Sequence, residues 1–167
     1  MKRLAALLLA AALSGCTLQP LYSGGGKGAV AQGLHAVQLA PIPGRAGWLV
    51  RTALEDRMAP GGDSRYRLEV ELDDQLTGYG VRRTDDGVTR QRRTLRARYR
   101  LVEAAMGTVV LDATAGSDAS VDVVGSEYAT VAAEQTALER LAKEVADQIV
   151  SRVALYMSRT SKVGAGS

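Results

Sequence analysis

Residues 66–73, Tyr-Arg-Leu-Glu-Val-Glu-Leu-Asp, alternate strictly between apolar and charged side chains. Successive side chains of a β-strand point to opposite faces of the sheet, so this pattern predicts a strand buried on one face only. Residues 89–102 alternate in the same way, and the Asp-Asp-Gly at 85–87 is typical of a hairpin turn. A long antiparallel hairpin is therefore predicted. Its predicted inward side chains are Tyr66, Leu68, Val70, Leu72, Leu95, Ala97, Tyr99 and Leu101.

Three shorter elements are predicted around this hairpin. The first is a strand at residues 34–40, and the second is a helix at residues 46–59, which a Pro-Gly-Gly sequence ends. The third is a strand at residues 108–115, and residues 120–124 are compatible with its resumption.

The last predicted element is a long helix at residues 126–159, a stretch without Gly or Pro. At 1.5 Å per residue it would be about 50 Å long, which exceeds the length expected of the sheet. The helix should therefore either break near residue 130 or project beyond the sheet. Its apolar stripe consists of Leu138, Leu141, Val145, Ile149, Val153 and Tyr156, spaced three and four residues apart.

The order of elements is thus β-α-β-β-β-α. Because each strand is apolar on one face, the helices should cover that face alone. The expected fold class is α+β, a two-layer sandwich in which two helices cover one face of a mostly antiparallel sheet of about four strands. Residues 34–159 should form this single domain.

The N-terminus has the pattern of a lipoprotein signal peptide over residues 1–15. Lys2 and Arg3 precede a run of Leu and Ala at residues 4–13, which is too short to cross a membrane. Leu-Ser-Gly before Cys16 resembles the lipobox of bacterial lipoproteins, in which the cysteine carries lipid such as palmitate. Cys16 is the only cysteine, and lipidation would explain an unpaired thiol in an exported protein. The alternative is a plain signal peptide beside a stray thiol. Thr17, where aspartate would signal inner-membrane retention, favours the outer membrane.

The two ends of the mature chain are expected to lack a fixed structure. Residues 16–33 comprise the lipidated cysteine and a Gly-rich tether, and about 11 linker residues reach roughly 17–20 Å. Residues 160–167 are predicted to be a disordered tail. Loss of Lys2 and Arg3 leaves 19 basic against 18 acidic residues, so the pI of 9.2 overstates any general attraction to polyanions.

Catalysis, metal binding and cofactor binding all lack candidate residues. His35 is the only histidine, and a lone histidine beside a strand is rarely a general base. No His, Cys or carboxylate cluster has the spacing of metal ligands. The glycines at 24–26 follow no strand and precede no helix, so they are not a phosphate-binding loop. We therefore expect no enzyme, no metal and no cofactor.

Arginines concentrate on the hairpin, where eight lie within residues 82–100. With a turn at 85–87, Asp73 should lie opposite Arg98 or Arg100, and uncharged residues should lie opposite the arginines nearer the turn. The arginines predicted to lack a carboxylate partner are Arg82, Arg83, Arg90, Arg92, Arg93 and Arg96. Such a cluster suits phosphate or carboxylate ligands, which a guanidinium binds bidentately. Export argues against nucleic acid; the alternative is a solvated basic hairpin without a ligand.

The sequence also resembles a known family. Residues 16–23, Cys-Thr-Leu-Gln-Pro-Leu-Tyr-Ser, are similar to the Cys-Gly-Phe-x-Pro-Leu-Tyr-Gly start of LptE proteins from α-proteobacteria, departing at Thr17, Leu18 and Ser23. The order of elements also resembles that family. The resemblance implies a lipoprotein that sits inside the LptD β-barrel, assists its assembly, partly plugs its lumen and binds lipopolysaccharide.

Two other functions stay open at the level of the sequence. One is an auxiliary lipoprotein of a periplasmic ABC-type or phospholipid transport system, which would bind a protein partner and no lipopolysaccharide. The other is an anchored periplasmic enzyme, which the single histidine disfavours.

Overall fold

The computed structural model describes residues 28–61, 64–81 and 88–164. Its elements are, in chain order, α1 (Ala29–His35), β1 (Val37–Leu39), α2 (Gly44–Met58), β2 (Tyr66–Val81), β3 (Val88–Glu103), β4 (Thr108–Asp122) and α3 (Glu127–Gly164). The strands lie in the order β1-β2-β3-β4, with β1 parallel to β2 and the other pairs antiparallel. The helices pack on one side of the sheet, which confirms the predicted α+β sandwich. The sheet is mixed because of β1.

The core lies between the helices and the face of the sheet that the alternating pattern predicted to be apolar. Leu68, Leu95 and Leu101 are completely buried on this inner face. On α3, the predicted stripe supplies the opposite wall, and Leu141 and Ile149 are also completely buried. Burial of this apolar area is the main source of stability for a domain with no disulfide.

The helix α3 is unbroken, which excludes the first of the two predicted alternatives, a break near residue 130. Its 38 residues span about 57 Å, and the 16 residues of β2 and of β3 span about 53 Å each, so helix and sheet match in length. The strand β4 is also longer than predicted, since it continues through Gly116 to Asp122. The length of the sheet was thus underestimated, and the helix does not have to project beyond the sheet.

The C-terminal boundary of the predicted helix was also wrong. The helix continues past residue 159 to Gly164, so residues 160–164 are not a disordered tail. Within this extension, the hydroxyl of Thr160 donates to the carbonyl oxygens of Tyr156 (3.2 Å) and Met157 (3.1 Å). Residues 165–167 lie outside the described residues.

The N-terminal boundary of the domain needs a similar correction. Ala29–His35 forms a helix where the sequence predicted tether and strand, and β1 is reduced to Val37–Leu39. Leu34 is buried, and a Cβ at Gly33 would lie 3.0 Å from Cγ of Met157 on α3. This packing on α3 explains why a short segment without a clear local pattern is helical. The earlier part of the tether, Cys16 and the signal peptide lie outside the described residues.

The start of α2 depends on the absence of a side chain at Gly47. A Cβ at this position would lie 2.5 Å from the carbonyl oxygen of Ile42 and 2.8 Å from its carbonyl carbon. Backbone atoms cannot swing aside, so Gly47→Ala should lower the free energy of unfolding by about 1–3 kcal/mol. Urea denaturation followed by circular dichroism measures this change. Gly125→Ala is the control, because a Cβ there meets no described heavy atom within 4 Å. Equal stabilities of the two variants would contradict the steric argument.

Candidate functional site: the outer face of the sheet

The outer face, turned away from the helices, carries most of the charged residues of β2, β3 and β4. The register of the hairpin places Asp73 opposite Arg96, Glu71 opposite Arg98 and Glu69 opposite Arg100. The predicted pairing of Asp73 with Arg98 or Arg100 was therefore wrong by two or four residues. Register in a hairpin follows from its connection. Val81 pairs with Val88, so the register is centred between residues 84 and 85 and not on residues 85–87.

The strand β4 supplies carboxylates that the sequence analysis overlooked. Arg98 bonds both carboxylate oxygens of Asp112, at 3.3 Å from Nε and 2.9 Å from Nη2. Nε of Arg90 lies 2.9 Å from Oδ1 of Asp122, and Nε of Arg92 lies 3.9 Å from Oδ2 of Asp118. The prediction that Arg90 and Arg92 lack carboxylate partners was wrong. A signal existed: residues 112, 118 and 122 share one face of an alternating strand.

The strongest of these contacts changes the ionisation of both partners. Hydrogen bonding from Arg98 lowers the pKa of Asp112, and the same bond raises the pKa of Arg98. Both side chains are exposed, where screening by water leaves an ion pair little net stabilisation. Such pairs fix the relative positions of the two side chains without adding much stability to the fold. A competing anion can therefore replace the carboxylate.

Arg93 does not belong to the outer face at all. It lies on the inner face, where Asp74 accepts bonds from its Nε (2.9 Å) and Nη2 (2.7 Å). Its Nη1 donates to the carbonyl oxygen of Glu134 on α3, at 3.2 Å. Hydrogen bonding to Asp74 raises the pKa of Arg93. The prediction that Arg93 belongs to an unpaired cluster was wrong. Odd-numbered residues of this strand point inward, so the position of Arg93 in the sequence would have shown this.

Among the four predicted ligand-binding arginines that the structure describes, Arg96 is the one that keeps its guanidinium available. No described carboxylate oxygen lies within the 4.0 Å ion-pair distance of its nitrogens. Asp73, opposite Arg96, instead accepts a bond from Gln75 at 2.9 Å. The Arg96 side chain lies across Gly116, where a Cβ would be 2.7 Å from its Cδ. The glycine thus lets the guanidinium lie flat over β4.

A cleft of 670 Å³ runs beside Arg96. Its lining combines apolar surface at Leu72 with hydrogen-bonding groups at Thr114 and Gln148, and the carboxylates of Glu71 and Asp73 lie on its β2 side. This is the part of the outer face where an anionic group could contact an arginine without first displacing a carboxylate. Arg82 and Arg83 lie outside the described residues.

Towards the connected end of the hairpin, Tyr79 orders the outer face. Its hydroxyl lies 2.7 Å from Oγ of Ser120, so the side chain reaches from β2 to β4. The guanidinium carbon of Arg92 lies 5.4 Å from the centre of the Tyr79 ring, within the range of a cation–π contact. Arg92 is therefore held between the ring and Asp118, and it is less available than Arg96.

The sequence model of the LptE family, described as lipopolysaccharide-assembly, matches residues 34–153. The chain belongs to the LptE family. A Caulobacter crescentus protein described as a lipoprotein is 28% identical, with a TM-score of 0.65 over 77% of this chain and 96% of that one. As a member of the LptE family, the chain has a role as a lipoprotein in lipopolysaccharide assembly.

More distant structures share the LptE fold. A minor lipoprotein from Acinetobacter baumannii is 14% identical and has a TM-score of 0.60, covering 73% of this chain and 92% of that one. Lipoprotein B from Nitrosomonas europaea is 14% identical and has a TM-score of 0.56, covering 74% and 88%. No curated protein sequence matches this chain significantly.

The lone histidine, potential metal ligands and membrane-spanning helices were also checked against the described part of this LptE chain. His35 ends α1, and its Nδ1 lies 2.6 Å from the carbonyl oxygen of Ala59, a residue in the left-handed conformation. The described residues contain no cluster of three or more potential metal ligands. Across the same residues, no helix combines the length and apolar character needed to cross a membrane.

Proposed function

We propose that this chain is an outer-membrane lipoprotein, anchored through Cys16, that partners an LptD-like β-barrel. In this role it assists assembly of the barrel, partly plugs its lumen and binds lipopolysaccharide, and it catalyses no reaction. The family match over residues 34–153 carries the proposal. The fold supports it, because a sheet with helices on one side leaves a polar outer face that suits the polar interior of a barrel.

The proposed contact with lipopolysaccharide centres on Arg96 and the cleft beside it. Lipid A phosphates and acidic core sugars are the anions available at the outer membrane, and a guanidinium binds such groups bidentately. Arg90 and Arg92 can join this contact only by exchanging Asp122 and Asp118 for ligand oxygens. Exposed ion pairs are weak enough for that exchange. Arg82 and Arg83 remain candidates by sequence proximity to the hairpin.

Affinity purification of the tagged full-length protein from detergent-solubilised outer membranes tests the partner. A stoichiometric large β-barrel protein among the co-purifying proteins is the expected result. Inner-membrane transporter subunits would favour the auxiliary lipoprotein of an ABC-type or phospholipid transport system instead. Recovery of the protein alone, under conditions that keep other barrel complexes intact, would contradict the proposed partnership.

The assignment of Arg96 predicts a difference between two neighbouring arginines. Arg96→Ala should weaken binding of purified lipopolysaccharide about 5- to 30-fold, the equivalent of about 1–2 kcal/mol for a charge-assisted hydrogen bond. Arg98→Ala should have a much smaller effect, because Asp112 already holds that guanidinium. Fluorescence titration with labelled lipopolysaccharide measures both variants. Equal losses would mean that binding depends on net charge alone.

A further inference from the structure

The strand β2 has a long edge that no strand of the described protein covers. β1 pairs only with Tyr66–Leu68, whereas β2 continues to Val81. The amide of Tyr66 donates to the Ala36 carbonyl (3.0 Å), and the carbonyl of Leu68 accepts from Ala40 (2.9 Å). Even-numbered residues of β2 therefore direct their backbone groups towards this edge. From Val70 to Gly78, these groups have no hydrogen-bond partner in the described part of the chain.

At the opposite edge of the sheet, a side chain of α3 caps the backbone of β4 at Gly116. The side-chain amide of Gln148 accepts a bond from the Gly116 amide (3.1 Å) and donates to the Gly116 carbonyl (3.1 Å). Ser117 also donates to the carboxylate of Glu144 on the same helix. Proteins usually protect exposed edges from unwanted pairing. Here α3 caps the β4 edge at Gly116, whereas the β2 edge has no such cap from the described residues over about nine residues.

On the inner side of the open edge, the surface is apolar and only partly covered. Leu76 is 44% exposed on β2, and Val131 is 54% exposed on the first turns of α3. The bond from Arg93 to the Glu134 carbonyl places these turns of α3 over this end of the sheet, because Arg93 is the partner of Leu76 in the register. Asp74, an inward carboxylate that could repel a pairing strand, is neutralised by Arg93.

On the outer side, the same edge is acidic. Glu69, Glu71 and Asp73 alternate along β2. Arg100 lies 3.4 Å from Glu69 and 3.3 Å from Glu71, but one guanidinium serves both carboxylates and the Glu71 side chain stays 71% exposed. Asp73 has Gln75 as its hydrogen-bond partner and no ion pair with a described residue. A second copy of this chain pairing edge to edge would bring two acidic rows together, which is unfavourable. The charge complementarity favours a basic segment of a different protein.

We propose that the edge of β2 from Val70 to Gly78 accepts an extended segment of another protein as a fifth strand. Backbone hydrogen bonds to the even-numbered residues provide affinity. Basic side chains of the segment face Glu71 and Asp73, and the alternate apolar side chains face Leu72 and Leu76. The occupant is thus a strand that alternates basic and apolar residues. This strand pairing does not require lipopolysaccharide, so it can be tested independently of ligand binding at Arg96.

Two peptides of identical composition test the pattern. Labelled Lys-Val-Lys-Val-Lys-Val-Lys should bind the full-length protein in detergent at least tenfold more tightly than Lys-Lys-Lys-Lys-Val-Val-Val in fluorescence anisotropy. Only the first peptide places its charges and its apolar side chains on opposite faces of a strand. Equal affinities, or no binding of either peptide, would overturn the proposal.

Two variants at one position test the backbone contact. Leu76→Pro removes an amide that points to the open edge, not one that bonds β3, so the sheet tolerates it better than an interior proline. We expect it to bind the alternating peptide at least tenfold more weakly than Leu76→Ala, which keeps the amide. Unchanged affinity of a folded Leu76→Pro variant would contradict strand addition.

Hydrogen exchange on the unsubstituted protein gives an answer even if the proline variant does not fold. Binding of the alternating peptide should slow exchange at the amides of Leu72, Asp74 and Leu76. The amides of Asp73 and Gln75, which face β3, should keep their rates. Protection spread equally over both sets, or present at neither, would refute the pairing.

Discussion

Leu141→Ala is expected to lower the free energy of unfolding by about 2–5 kcal/mol, the usual cost of truncating a fully buried leucine. Leu141 is completely buried on α3, the helix that covers both β3 and β4. The substitution removes apolar contacts and leaves a cavity, since a 38-residue helix packed along its length cannot shift at one turn to fill the space. Urea denaturation of the purified protein measures the loss.

The matched control for Leu141→Ala is Leu76→Ala. Leu76 is 44% exposed, so its truncation should change the free energy of unfolding by no more than about 0.5 kcal/mol. If both alanine variants were destabilised to the same extent, α3 would not cover the sheet as described.

Cys16→Ala is expected to move the protein from the membrane fraction to the soluble fraction. Each buried methylene contributes about 0.8 kcal/mol, so an anchor of two or more acyl chains holds a protein stably on the membrane. Removal of the anchor should therefore release nearly all of the protein. No other described segment can replace this anchor by spanning the membrane as a helix. Fractionation after expression in a host without a matching barrel protein measures the redistribution.

Thr17→Asp is the control for the anchor. The cysteine remains, so the protein should stay membrane-bound, but aspartate after the lipidated cysteine should retain it in the inner membrane. Density-gradient separation of the two membranes distinguishes these locations. If Cys16→Ala stays in the membrane fraction without a partner, lipidation is not what anchors the protein.

For the arginines of β3, the sequence predicted the face of the sheet correctly but not the ion-pair partners. Parity along a single strand assigned Arg96 to the outer face correctly, because side-chain direction alternates with every residue. The ion pairs were predicted poorly, because carboxylate partners were expected on β2 alone. The partners of Arg90 and Arg92 lie on β4, about 26–32 residues further along the chain. Only the order of strands in the sheet shows that β3 lies between two acidic neighbours.

Local patterns were sufficient for the long elements. Two alternating stretches and one apolar stripe predicted β2, β3 and α3 and the one-sided sandwich, because each pattern repeats over many residues and one face must be buried. The same reasoning failed at Ala29–His35 and at residues 160–164, where a few residues carry too little periodicity. There, packing against α3 and continuation of its hydrogen bonds determine the conformation.

The amino-acid sequence by itself determined which residues are buried and which are charged on the opposite face, since alternation depends only on strand geometry. Tertiary structure determined which charges meet and, among the described residues, which arginine lacks a carboxylate partner and where the edge of β2 is uncovered. These depend on register and strand order, which arise from contacts between residues distant in the chain. Arg96 and the edge of β2 were therefore recognisable as distinct features only once β1 and β4 had their places beside the hairpin.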